Sequence, residues 1–186
     1  MLTIHRLSYE DAQCIIDGAV AKAHELGLPA CIAVTDESGF LIAFKRMDGG
    51  KPMSTTLAQD KAHTAAISHR STQFSKERNI PGQLLFGIHM AAQGRFSSVG
   101  GGLNVEVDGQ LVGAIGISGG APEQDIACAE AGIAHFLATR SEVLTNTTLV
   151  LGHHPAHGSS DCVGGFIDHA AQNRKAVVAN ARQRSR

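Results

Sequence analysis

An Asp-Gly pair between two apolar segments constrains the fold of this 186-residue chain more than any other feature. The segments are Leu103–Val107 and Gln110–Ile117, and the pair between them is Asp108-Gly109. Both central residues of a tight hairpin turn need a positive φ, and Asp-Gly adopts this conformation readily. The pattern therefore predicts an antiparallel β-hairpin.

A second hairpin is predicted earlier in the chain. Ala30–Thr35 and Phe40–Phe44 are apolar runs too short for helices, and Asp36–Gly39 between them has the composition of a turn. Both runs are apolar enough that we expect each strand to be buried on two faces.

Helical periodicity flanks and separates the hairpins. From Ser8 to Gly27 the chain has a capping serine, an acid three residues later and apolar residues on one helical face. A second helix is predicted from Ser54, as its cap, to about His69, and a third opens after the glycine-rich Ser118–Pro122. This order of elements predicts the α+β class, with one layered domain in which helices cover an antiparallel sheet.

The composition of the chain argues against nucleic acid and membranes as partners. Sixteen Lys and Arg against 17 Asp and Glu give a formal charge of −1, and no basic groove for nucleic acid is indicated. No apolar run reaches the roughly 18 residues of a membrane span, and the start of the chain has no apolar signal core. We therefore expect a cytoplasmic protein without nucleic-acid or membrane partners.

The pattern weakens after residue 140, which predicts a domain at 1–140 and an extension at 141–186. Within the extension Leu149–Leu151 is a candidate edge strand and Phe166–Arg182 a candidate helix. We expect the extension to wrap a neighbouring surface, so truncation after Thr139 should weaken oligomerisation and leave a folded protomer.

A cluster of side chains in a loop of the extension either binds zinc or copper or has only adventitious affinity for metal ions. Its members are His153, His154, His157, Asp161 and Cys162.

Arg46, Asp48 and Lys61 form the first candidate constellation. Arg46 and Asp48 leave the end of a buried strand, and Lys61 lies on an alanine-rich helix face expected to pack nearby. A guanidinium and an ammonium together suit a carboxylate, such as that of a small organic acid. The alternative is an internal ion pair, Arg46 with Asp48 or Asp48 with Lys61, that orders the loop.

The second candidate constellation consists of Ser118, Gly119 and Gly120. Glycines at the start of a helix let backbone N–H groups approach an anion. The alternative is a tight turn from strand to helix. The segment lacks the spacing of a nucleotide-binding fingerprint, so no nucleotide is assigned.

Four motifs in order carry a family resemblance: Ile32–Gly39, Lys45–Gly49, Ala58–Ala65, and Gly101-Gly102 followed by Asp108–Gly120. The chain resembles the GlcG/HbpS family of haem-binding or haem-degrading domains. The resemblance implies a five-stranded antiparallel sheet flanked by helices (profilin-like), a homo-oligomer and, for some members, binding or breakdown of haem as a cofactor. The propionates of a haem are carboxylates that Arg46 and Lys61 would suit.

Haem iron needs an axial donor, usually an imidazole, presented from an apolar pocket. His24 beside the apolar stripe of the first helix and His89 in an apolar stretch are the candidate ligands, and the sequence does not separate them.

The leading hypothesis is therefore a haem-binding protein that stores, senses or degrades haem. The alternative is an enzyme acting on a small carboxylate through Arg46, Asp48 and Lys61. A non-catalytic interaction module is a third interpretation.

Overall fold

A four-stranded antiparallel sheet lies at the centre of the computed structural model, which describes residues 1 and 3–151, with side chains to residue 141. The strands are β1 (Cys31–Asp36), β2 (Leu41–Arg46), β3 (Gly102–Val107) and β4 (Gln110–Ser118), in the order β2-β1-β4-β3. Both predicted hairpins, β1–β2 and β3–β4, are confirmed.

Four α-helices accompany the sheet in the described part of the chain: α1 (Tyr9–Glu25), α2 (Pro52–Ser68), α3 (Thr72–Arg78) and α4 (Pro122–Leu151). Short 3₁₀ turns at Ile88–Met90 and Ala92–Gly94 lie between α3 and β3. The predicted α+β class with an antiparallel sheet is confirmed. No helix among the described residues is long and apolar enough to cross a membrane.

Helix α1 starts where its sequence signals predicted. Ser8 Oγ accepts from the Asp11 N–H at 3.1 Å, and the Ser8 N–H donates to Asp11 Oδ2 at 2.9 Å, which completes a capping box. The apolar stripe of α1 is buried against the sheet and consists of Ala12, Ile15, Ile16, Ala19 and Ala23.

The alternating side chains of β1 divide the core between the two faces of the sheet. Ile32 and Val34 belong to the large cluster with α1 and α4, whereas Cys31 and Ala33 pack with α2. The α2 backbone lies very close to the sheet, because a Cβ at Gly116 would overlap the backbone of Ala58 and Ala62. Small residues on both surfaces therefore place α2 directly over the centre of the sheet.

Three local expectations are corrected. Leu149–Leu151 is the last turn of α4 and not an edge strand, since extending a helix already formed costs little. The strand β2 lies at the sheet edge, so its only fully buried residue is Ala43. Helix α2 begins at Pro52, a residue favoured in the first turn, and Ser54 lies inside it without capping.

The expected fifth strand is absent from the described residues, which form four strands. Helix α4 runs through the predicted boundary at 140/141. The candidate helix Phe166–Arg182 and the histidine cluster of the extension lie outside the described residues.

Candidate functional site

One end of the sheet gathers several of the predicted site residues. Cys31 at the start of β1 is paired with Arg46 at the end of β2 and with Ser118 at the end of β4. Directly opposed residues in antiparallel strands lie on one face of a sheet. Arg46, Cys31 and Ser118 therefore form a row on the face covered by α2, and Gly119 and Gly120 continue from its end.

The first turns of α2 make polar contacts with this row of side chains. Ser118 Oγ donates to Ser54 Oγ at 3.1 Å, and both side chains are buried. The Cys31 thiol lies 3.8 Å from Thr55 Oγ1. Ser118, predicted to face a ligand, thus has its hydroxyl partner inside the protein.

Lys61 is buried. It is 1% exposed, and its Nζ donates to Asp125 Oδ2 at 2.7 Å and to the Ile117 carbonyl oxygen at 2.7 Å. Burial lowers the pKa of Lys61, and the adjacent Asp125 carboxylate opposes that shift. The ion pair joins α2 to both β4 and α4.

Asp125 also organises the glycine-rich turn. Its second carboxylate oxygen, Oδ1, accepts from the Gly119 N–H at 3.0 Å and from the Gly120 N–H at 3.1 Å. The two donors that the sequence offered to an anion are therefore occupied by a carboxylate of the same chain. The sequence analysis missed this role, because only the fold brings Asp125 next to the N–H groups of Gly119 and Gly120.

Arg46 and Asp48 have different surroundings from Lys61. Both are exposed, and Arg46 Nε donates to the Gly50 carbonyl oxygen at 2.9 Å. Neither predicted ion pair, Arg46 with Asp48 or Asp48 with Lys61, is present among the described residues. Lys61 pairs with Asp125 instead.

The two candidate haem ligands lie in contrasting environments. His24 is exposed in the last turn of α1, beside the Lys22–Glu25 ion pair. His89 is exposed in the 3₁₀ turn Ile88–Met90, within a segment of exposed apolar side chains. Those side chains are Ile80, Leu84, Phe86 and Met90.

Asn79 fixes the orientation of this segment. Its Oδ1 accepts from the Gly87 N–H at 3.0 Å, so its Nδ2 is the group that donates to Ser98 Oγ at 2.8 Å and faces His89 Nδ1 at 3.3 Å. Because Nδ2 only donates, His89 Nδ1 accepts, and the neutral ring carries its proton on Nε2.

Clefts of about 220, 310 and 380 Å³ occur in the described chain. None of these three is lined by His24, His89, Arg46 or Lys61. Within the described residues, no group of three or more His, Cys, Asp or Glu side chains could hold a metal ion.

These features define a class of protein: an α+β domain in which a buried lysine and aspartate tie a glycine-rich turn to two helices. The chain belongs to the HbpS-like family, because the family model described as haem degrading protein HbpS-like matches residues 7–134. The protein GlcG of Escherichia coli is 36% identical over 112 residues, which cover 60% of this chain and 81% of GlcG. The resemblance to the GlcG/HbpS family is confirmed.

Solved structures share the fold. The Klebsiella pneumoniae protein ORFY has a TM-score of 0.72 at 30% identity, covering 74% of this chain and 95% of ORFY. A crystal structure of a complex of PduOC with haem has a TM-score of 0.67 at 34% identity, covering 70% of this chain and 94% of PduOC.

Proposed function

We propose that this protein binds haem on the exposed segment 80–90, with His89 as the donor to iron. The observation that carries the proposal is the likeness in sequence and fold to PduOC, whose structure is a complex with haem. Membership of the HbpS-like family supports the same ligand.

The segment 80–90 has the character that a haem surface needs. The macrocycle is flat and apolar, and its transfer from water onto apolar side chains is favourable. Leu84 is 93% exposed, Met90 74% and Phe86 61%, so large apolar side chains are available beside an imidazole. Such an exposed cluster is typical of a binding surface.

His89 is the better of the two candidate donors. His24 lies among charged side chains at the end of α1, where contact with the macrocycle would desolvate Lys22 and Glu25. His89 has no such neighbour in its own turn, Ile88–Met90. Binding through Nε2 requires the ring proton on Nδ1, so the contact with Asn79 is given up when the ligand is bound.

We propose that the protein is a homo-oligomer and that a second copy covers the other face of the haem. A flat ligand on an open surface leaves one face in water, and none of the three clefts encloses His89. A facing subunit would remove that apolar area from water.

The alternative of an enzyme acting on a small carboxylate has no comparable support. Both acceptors around the Lys61 ammonium belong to the protein, at 2.7 Å each. We propose a structural role for Lys61, whereas Arg46 and Asp48 are exposed.

Titration of the purified chain with haemin tests the proposal. Specific binding gives a sharp Soret band that saturates at a fixed ratio of haemin to protein. A broad band that keeps growing with haemin, as on a nonspecific carrier such as serum albumin, contradicts it. Incubation of the complex with ascorbate and oxygen then separates degradation, in which the Soret band disappears, from storage or sensing, in which it persists.

A further inference from the structure

The structure assigns a second ligand site to the cleft between the β1–β2 turn and α2, and we propose that it binds a small neutral molecule with adjacent hydroxyl groups. The cleft has a volume of about 310 Å³, at the lower end of small-molecule pockets. It is lined by Thr35, Gly39, Phe40, Leu41, Thr56, Gln59, Asp60 and Arg95.

Thr35 provides the first indication of a ligand. Thr35 is one of the lining residues and is 2% exposed, and its hydroxyl makes no hydrogen bond to the described residues. A buried hydroxyl without a partner is costly, and each such case in a folded protein calls for an explanation. This hydroxyl would gain a hydrogen bond from a ligand oxygen that reaches it and would lose none in exchange.

The second indication of a ligand comes from Asp60 and Arg95. Arg95 Nε donates to Asp60 Oδ1 at 3.0 Å, which leaves Asp60 Oδ2 as an acceptor and the two terminal guanidinium nitrogens as donors. An acceptor and a donor side by side match two adjacent hydroxyls, one donating and the other accepting. The two formal charges cancel, which favours a neutral ligand over an anion.

The remaining lining completes this chemistry. Gln59 Nε2 donates to the Thr55 carbonyl oxygen at 3.0 Å, so its amide oxygen remains as a further acceptor. Phe40 is 72% exposed and Leu41 49%, which offers an apolar wall to the carbon skeleton of the ligand. The cleft thus combines acceptors, hydroxyls and one apolar side, as a polyol requires.

The walls of the cleft are held in place without the ligand. The carbonyl oxygen of Gly39 accepts from His63 Nδ1 at 3.0 Å, and Asp36 Oδ1 accepts from the N–H groups of Ser38 and Phe40. The β1–β2 pairing shifts register between Val34 and Thr35, and such bulges are frequent next to binding sites. Arg95 is anchored through its carbonyl oxygen, which accepts from Thr64 Oγ1 at 3.3 Å.

Chemical-shift mapping with erythritol as the neutral polyol tests this site on the full chain. We expect saturable shifts at the backbone amides of Gly39, Phe40, Leu41 and Gln59. Thr35→Val and Asp60→Asn should each weaken erythritol binding by about tenfold, the effect of losing one hydrogen bond of ordinary strength. Thr139→Val, which removes an exposed hydroxyl on α4, should leave binding unchanged.

Three results would overturn the assignment. They are the absence of saturable shifts up to roughly 100 mM erythritol, tighter binding of acetate or of zwitterionic leucine than of erythritol, and unchanged binding in both folded cleft variants. Circular dichroism establishes whether each variant is folded. If Thr35→Val does not fold, Asp60→Asn still tests the site. The haemin titration tests segment 80–90, which does not line this cleft. The failure of either proposal, haem binding or polyol binding, therefore does not decide the other.

Discussion

At the scale of single residues, the buried Lys61–Asp125 pair links three elements of the described structure. Both charges are removed from water, and the pair connects α2, β4 and the start of α4. Removing one partner leaves the other charge buried and uncompensated, which typically costs about 3–5 kcal/mol. Asp125 also accepts two hydrogen bonds from N–H groups of the glycine-rich turn.

We therefore predict that Lys61→Met lowers the free energy of unfolding by about 3–5 kcal/mol, measured by urea denaturation. The matched control is Lys45→Met on the exposed edge strand β2, for which a change within about 0.5 kcal/mol is expected. Equal small losses in the two variants would contradict this role of the buried pair.

Gly39 provides a second test at this scale. Its φ is +85°, and a Cβ there would lie 2.7 Å from His63 Nδ1 and 2.9 Å from Ile67 Cγ2. Gly109 has a similar φ of +74° but no atom within 4 Å of the added Cβ. Both Gly→Ala changes meet backbone strain of about 1–2 kcal/mol, and only Gly39→Ala adds a steric clash.

Gly39→Ala should therefore destabilise the protein by roughly 1 kcal/mol or more beyond Gly109→Ala in thermal or urea unfolding. A larger loss for Gly109→Ala would contradict the packing of the β1–β2 turn against α2. The two variants share the strain, so their difference isolates the steric contacts with His63 and Ile67.

At the scale of secondary-structure elements, the segment before α1 is attached to the β1–β2 turn by charge. Arg6 Nη2 and Nε donate to Glu37 at 2.6 and 2.8 Å. This hydrogen-bonded pairing is the main reason that the pKa of Glu37 falls from 4.5 to about 2. Since the folded pKa is the lower one, the stabilisation is complete above about pH 4.5 and is lost as the pH falls toward 2.

We predict that the stability advantage of the wild type over Arg6→Gln is present near neutral pH and disappears toward pH 2, as measured by unfolding curves along a pH series. The advantage is small because Arg6 is 53% exposed and solvent screens the pair. Lys76→Gln on α3, with the same change in charge, is the control and should show no such pH dependence. An Arg6→Gln deficit that grows in acid would contradict the assignment.

Local chemistry made the elements predictable from sequence, while their arrangement depended on distant contacts. Asp108-Gly109 and the Ser8 capping box act within a few residues, so the hairpin and the start of α1 could be predicted. The burial of β2 could not, because it follows from the order of strands in the sheet. The partner of Lys61 was missed for the same reason, since Asp125 lies 64 positions further along the chain.

At the scale of the whole molecule, the fold leaves surfaces that a second copy could cover. The strands β2 and β3 are the edges of the described sheet, and large apolar side chains of the segment 80–90 are exposed. Helices rich in alanine and glycine bury little area per residue, so contacts between subunits would add burial. These features support the proposed homo-oligomer.

Light scattering at micromolar protein concentration should give a mass that is a multiple of the 19.5 kDa chain. A Leu84→Ser and Phe86→Ser double variant, which removes exposed apolar side chains without touching the core, should shift the mass toward the monomer. A wild type that is monomeric at this concentration would refute the proposal.

The most direct test of the haem proposal is a haemin titration of the wild type, His24→Ala and His89→Ala, followed at the Soret band. Both histidines are exposed, so neither variant should unfold, and each controls for the other. The proposal predicts that His89→Ala shifts the band and weakens haemin binding by about tenfold or more, one lost donor contact of at least 1.4 kcal/mol, while His24→Ala matches the wild type. Identical titrations of the wild type and His89→Ala would contradict it.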